Sequence, residues 1–264
     1  LYIWFDNTDH ELVKLAAELL KKDIEAVTGF SPLVSTSAPK KASTAIIIGS
    51  LDKSPLIQSL VNRGKIKTAG VKGTWEGYII QTISNPLNGI TNAIVIAGSD
   101  RRGTAYGVFE LSRQLGVSPW YWWADVPVQK KTSVAIKKDV RIAEVPKVKY
   151  RGIFINDEAP ALSGWSREKF GGFNHRFYEN VFELILRSKG NYLWPAMWGN
   201  AFYDDDSLNI KSADRYGIVI GTSHHEPLMR AHDEWRRYGK GKWNYDSNEA
   251  RLKDFWRGGL KRAT

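Results

Sequence analysis

Cysteine is absent from the 264 residues, which excludes disulfides, thiolate metal sites and a cysteine nucleophile within them. Long apolar runs are absent as well. Stretches such as Ala45-Ile46-Ile47-Ile48 fall far short of the ~20 residues that a bilayer span requires. The chain opens on Leu1-Tyr2-Ile3-Trp4-Phe5 with no initiator Met and no signal-peptide pattern, so any leader is expected to lie outside this sequence. There is no run of five like charges, no Gly-x-Ser-x-Gly elbow and no phosphate loop. Gly98-Ser99-Asp100-Arg101-Arg102-Gly103 is flanked by glycine, but its spacing matches neither nucleotide fingerprint, and it reads as a strand-to-helix turn.

What is present fits a folded α/β protein. Hydrophobic residues at 42% and charged residues at 25% exclude disordered and collagen-like classes. The formal charge of +10 calls for an anionic partner or serves solubility. The excess is shared equally between the two halves, which argues against a nucleic-acid footprint and leaves an acidic small substrate or polysaccharide. Tryptophan is over-represented at eleven residues, with eleven tyrosines beside it. Flat aromatic faces build cores, and they also pack on the C–H faces of sugar rings.

The first half alternates strands and helices. Leu1–Phe5, Ala45–Ile48, Tyr78–Ile83, Ala93–Ala97 and Thr132–Ile136 read as strands, the last before a Lys137-Lys138-Asp139 turn. Asp9 is expected to cap a helix through Leu12, Leu15, Ala16, Leu19, Leu20, Ile24 and Val27 that stops at Gly29. Ser54-Pro55 starts a second helix, and a third runs from about Gly103 to Leu115, ending at Gly116. From Pro146 the rhythm changes. Tyr150–Asn156, Asn191–Trp198 and Ile218–Thr222 read as strands. Helices are expected over Phe177–Ser188, Ser212–Tyr216, Pro227–Tyr238 and Asn248–Leu260. Three β/α units cannot close a barrel, so the reading is an incomplete one completed by residues outside this sequence, or a small open sheet.

Polar residues gather after each of these later strands: Asn156-Asp157-Glu158, then Trp194 and Trp198-Gly199-Asn200, then His224-His225-Glu226. In parallel α/β folds, ligands bind at the carboxyl ends of strands. Carboxylates, imidazoles and indoles are what a sugar site needs. Each cluster also has a structural reading. The first could cap a helix, the tryptophans could be core, and Asp204-Asp205-Asp206 reads as a solvated loop feeding a helix N-terminus. Adjacent histidines on an extended segment point to opposite faces, and the zincin spacing is missing, so no metal and no cofactor is expected.

The segments Gly98–Gly107, Arg151–Glu158 and Gly221–Pro227, in this order, resemble glycoside hydrolase family 115, the xylan α-1,2-glucuronidases. The resemblance covers essentially the whole chain. It implies an N-terminal α/β domain at residues 1–145, followed at 146–264 by the first three β/α units of an incomplete (β/α)8 TIM barrel. It implies inverting release of α-1,2-linked (4-O-methyl-)glucuronic acid from decorated xylan or its oligosaccharides. By match, Asn156, Asp157, Glu158, Trp198, His224 and His225 bind substrate. The acid and base resemble nothing in this sequence and are expected beyond Thr264, so this stretch alone is expected to be inactive. Neither nucleic acid nor a membrane is implied as a partner; a homodimer is admitted for the full-length protein, and the polysaccharide substrate favours secretion or the periplasm. The alternatives are a non-catalytic carbohydrate-binding protein and a hexosaminidase-like barrel hydrolase.

Overall fold

The computed structural model describes residues 1–156, 159–221 and 228–262. Two units are distinguished, one of Leu1–Lys149 with Leu186–Lys189, the other of Tyr150–Ile185 with Gly190 onward.

In chain order the first unit contains β1 (Tyr2–Phe5), α1 (Glu11–Thr28), β2 (Leu33–Ser35), β3 (Ala42–Ser50), α2 (Pro55–Asn62), β4 (Tyr78–Ser84), β5 (Ile90–Gly98), α3 (Arg101–Leu115) and β6 (Arg141–Glu144). The sheet has the order β2-β1-β3-β5-β4-β6. β1, β2, β3 and β5 run parallel, and β4 is antiparallel to both β5 and β6. Its central strands are continuous apolar runs because both faces are covered. Ala45, Ile47, Ile79 and Val95 pack with Leu56, Ile57 and Leu60 of α2. The alternate residues Ile46, Ile48, Ile80, Ile94 and Ile96 are buried on the other face. Each such side chain contributes roughly 1.5–3 kcal/mol through burial.

Small residues let α3 press onto this sheet. A Cβ on Gly103 would overlap the Gly77 carbonyl, and one on Gly107 would lie 2.6 Å from the Ile96 Cγ2. Asp100 caps the helix, accepting from the backbone of Arg102 at 3.0 Å and of Gly103 at 2.8 Å. The glycine-flanked segment is therefore a strand-to-helix turn. Ser54 caps α2 with Pro55 in its first turn, and Gly29 and Gly116 end α1 and α3 in the left-handed conformation, all as the sequence predicts.

Two expectations need correction. Asp9 does not cap α1. The cap residue is His10, whose side chain makes no capping bond, and the Asp9 carboxylate is drawn to Ser50 at the end of β3. It accepts from the Ser50 amide at 2.8 Å and from its hydroxyl at 2.7 Å. Thr132–Ile136 is not a strand either. The place beside β4 is taken by β6, and pairing starts only at Val140, whose amide donates to the Thr82 hydroxyl at 2.9 Å. The preceding segment is exposed and irregular. It is tied at its start by Lys131, whose amide donates to the Val27 carbonyl at 2.7 Å and whose ammonium donates to the Leu115 carbonyl at 2.7 Å. Beneath it lies an apolar cavity of about 650 Å³ lined by Ile46, Ile80, Ile94 and Leu111.

The second unit contains β7 (Gly152–Phe154), α4 (Ala161–Phe170), α5 (His175–Arg187), β8 (Tyr192–Trp194), α6 (Phe202–Asp205), α7 (Leu208–Tyr216), β9 (Val219–Ile220), α8 (His232–Tyr238) and α9 (Tyr245–Leu260). The three strands are parallel and lie in sequence order. They are shorter than the sequence suggests. Pro195, which has no N–H to donate, directly follows β8. α4 and α6 are additions that the sequence pattern does not announce. Apolar packing centres on α5, where Phe177, Tyr178 and Phe182 are fully buried in an aromatic cluster with Phe173 and Phe202.

Candidate active site

Parallel pairing sets the geometry of the open strand end. Gly152, Ile153 and Phe154 pair with Tyr192, Leu193 and Trp194, and Tyr192 and Leu193 pair with Val219 and Ile220. Pairing continues one step past the strands: the Ile155 amide donates to the Trp194 carbonyl, and the Gly221 amide donates to the Leu193 carbonyl, both at 2.8 Å. Ile155, Trp194 and Gly221 therefore terminate the three strands side by side at one end of the sheet.

Residues alternate across these strands. Leu193 is fully buried, whereas Tyr192 and Trp194 occupy the opposite face. The Trp194 ring lies 5.1 Å from that of Phe154, and the Tyr192 hydroxyl crowds Gly221. Burial raises the pKa of the Tyr192 phenol. The Trp194 indole nitrogen is buried and has no hydrogen-bond acceptor among the described residues. An indole donor without an acceptor is costly to bury. Trp194 belongs to the clusters read from the sequence; the placement of Tyr192 on the same face follows from its alternation with the buried Leu193.

Of the sequence-derived site residues, two are described. Asn156 is exposed directly after Ile155. Trp198 is 47% exposed, so it is not a core residue. It stands at the tip of a tight turn in which the Asn200 side chain donates to the Trp198 carbonyl at 2.7 Å and Gly199 takes a positive φ of 70°. Ala196 and Met197, just before it, are buried and anchor the turn. Asp157, Glu158, His224 and His225 lie outside the described residues, as does Glu226. The described part of the strand end thus offers an amide and indoles. These can donate to and stack on a sugar, and no proton-transfer pair is found among them.

Asp204, Asp205 and Asp206 are not a solvated loop. Asp204 and Asp205 sit in α6 and both bind Arg237 of α8 at 2.6 Å. Tyr238 also donates to Asp204, at 2.8 Å. Burial works to raise the Asp204 pKa, but the bonds from Arg237 and Tyr238 outweigh it and hold the carboxyl below its ordinary range. Asp205 accepts from the Ala201 amide at 2.7 Å, at the start of α6. Asp206 does serve a helix start, accepting from the Leu208 amide at 2.9 Å, and it also binds the His175 ring at 2.7 Å. These carboxylates are committed to holding α6, α7 and α8 in place. Among the described residues no group of three His, Asp or Glu side chains could hold a metal ion, and no helix is long and apolar enough to cross a membrane.

An α/β domain followed by parallel β/α units, with polar and aromatic residues at the strand ends, is a framework that many enzyme classes share. Residues 143–264 match the model of glycosyl hydrolase family 115, and residues 3–111 match that of the glycosyl hydrolase family 67 N-terminus. Among solved structures the chain is similar to BtGH115A, described as a family 115 4-O-methyl-α-glucuronidase with specificity for decorated arabinogalactans, at 33% identity and a TM-score of 0.86. That similarity covers 99% of this chain and 34% of BtGH115A, so the chain spans about a third of that protein's length. CpGH84D shares the fold alone, at 10% identity and a TM-score of 0.55 over 98% of this chain and 38% of that one. No curated protein sequence matches. Residues 143–264 therefore belong to glycoside hydrolase family 115, as the segments Arg151–Glu158 and Gly221–Pro227 imply.

Proposed function

We propose that the protein carrying this chain is an inverting α-glucuronidase that removes α-1,2-linked (4-O-methyl-)glucuronic acid from xylan side chains. The likeness to BtGH115A across essentially the whole chain carries this reading. Residues 1–145 form the N-terminal α/β domain, and 146–264 open the catalytic TIM barrel. Asn156, Asp157, Glu158, Trp198, His224 and His225 surround the uronic acid, with the indole as stacking face and the others as hydrogen-bond partners. Residues beyond Thr264 supply the acid that protonates the glycosidic oxygen and the carboxylate that activates water. In an inverting enzyme the two stand ~6.5–9.5 Å apart so that the water fits between carboxylate and sugar. The residues of this chain bind and orient the sugar, which lowers the barrel's catalytic barrier by positioning.

The description of BtGH115A favours a second substrate, arabinogalactan decorated with the same uronic acid. The test is to incubate the full-length protein with glucuronoxylan and with decorated arabinogalactan and to follow the released sugar by NMR. Initial appearance of the β-anomer of the uronic acid is expected. No release from either polymer, or initial release of the α-anomer, overturns the proposal, and the faster polymer decides between the substrates.

A further inference from the structure

The loop joining α8 to α9, Gly239–Asn244, and the start of α9 present two exposed rings, the exposed cations Lys240 and Lys242, and one exposed carboxylate, Asp246. Trp243 is 43% exposed and Tyr245 46%. Neither ring is loose. Trp243 stands edge-on to Trp235 with centroids 5.0 Å apart and meets Trp256 at 6.0 Å, while Tyr245 stacks on Trp256 at an interplanar angle of 12°. The loop beneath is clamped by Asn248, whose amide donates to the carbonyls of Lys240 at 2.7 Å and Lys242 at 2.9 Å. To reach them Asn248 leaves helical geometry, with φ −145° and ψ 32°, and so breaks the first turn of α9.

Lys240 and Lys242 are exposed, and neither has a carboxylate partner among the described residues. Other cations of α9 do: Lys253 pairs with Glu249, and Arg257 with Asp254 at 3.1 Å. Rigid aromatic faces beside uncompensated ammonium groups match a ligand with apolar ring faces and negative charge. We propose that this surface is a binding site for a uronic-acid-bearing polysaccharide, with Trp243 stacking on a pyranose ring, Tyr245 held between its neighbours Trp256 and Lys253 as part of the rigid support, and Lys240 and Lys242 meeting carboxylates. Only the choice of uronic acid rests on the proposed function. The site would hold the main chain of a polymer, and a short oligosaccharide need not reach it.

Affinity electrophoresis of the full-length protein tests this with glucuronoxylan and with the same xylan after its carboxyls have been reduced to hydroxyls. The wild type is expected to be retarded by the first and about three- to tenfold less strongly by the second, with salt narrowing the difference. Trp243→Ala should lose most of the retardation. The double variant Lys240→Gln, Lys242→Gln touches only exposed side chains and should keep the fold; it should behave on glucuronoxylan as the wild type does on the reduced polymer. Release of uronic acid from a short oligosaccharide should be unchanged in that variant. Equal retardation by both polymers, or wild-type retardation of the lysine variant, overturns the inference. Retardation as expected without release of sugar counts against the proposed function alone.

Discussion

The Tyr192 hydroxyl fills the space that a Cβ on Gly221 would occupy. One residue ends the β9 ladder and the other lies on β8, so their contact sets how closely the two strand ends approach. Gly221→Ala must displace a half-buried phenol or the backbone, and overpacking of this kind costs about 1–3 kcal/mol. A thermal melt of Gly221→Ala should show that loss. Tyr192→Leu shortens the side chain and should recover part of it when combined with Gly221→Ala. Equal losses in the single and double variants would mean that another contact dominates.

Glu110 contributes stability that depends on pH. It is buried on α3, and burial works to raise its pKa, but bonds from Arg113, Gln114 and Lys189 bring it down to about 2. Folding lowers this pKa from its ordinary 4.5, so the contribution is complete above pH 4.5 and disappears as pH falls toward 2. Glu110→Gln should cost about 1–2 kcal/mol at neutral pH, allowing for solvent screening. Urea titrations between pH 2 and pH 7 should show the two proteins converging at the acid end.

Glu234 is fully buried and accepts from Arg230 at 2.7 Å, the Ala231 amide at 2.8 Å and Arg262 at 2.9 Å. Arg262 also lies over the Tyr203 ring, 5.3 Å from its centroid. Glu234→Ala leaves two partly buried guanidinium groups without their shared carboxylate. Breaking a buried pair in this way costs about 3–5 kcal/mol. Denaturant unfolding should report a loss within that range, whereas a change below ~1 kcal/mol would mean that water replaces the carboxylate.

Trp198, Asp157 and His224 are tested in the full-length protein against the proposed function. Trp198 is exposed, so Trp198→Ala should leave the melting temperature unchanged while raising the free energy of substrate capture by about 1–3 kcal/mol. His224→Ala should cost about 1.5–3 kcal/mol if it donates to the uronate carboxylate, and Asp157→Ala a similar amount. Wild-type kcat/KM in all three, with lowered melting temperatures, would place the pocket elsewhere.

Much of this fold is legible because the local signals agree with the tertiary packing. The isoleucine run of β3 and the apolar run of β5 announce strands covered on both faces. Ser54-Pro55, Gly29 and Gly116 mark helix ends by their own backbone chemistry. Errors arise where a distant partner decides. Asp9 has the chemistry of a cap, but Ser50, far away in sequence, takes its carboxylate. Thr132–Ile136 alternates like a strand, but β6 holds the available edge. The three aspartates before α7 look solvated because the arginine that binds two of them comes some thirty residues later. At the candidate site, exposure of Trp198 depends on the burial of Ala196 and Met197 beneath its turn, which residue type alone does not reveal.

The segment between Lys131 and Val140 is fixed at both ends and exposed between them, over a cavity rather than a packed surface. Such a stretch is the natural first target of a protease. It carries Lys137 and Lys138, so trypsin should nick the native protein here before it reaches the lysines of α1. The cut would leave β6 joined to β4 through the four residue pairs of their ladder. Two pieces should therefore separate on a denaturing gel while migrating as one species on a native gel. The same tolerance makes this bridge a suitable place to insert a peptide tag.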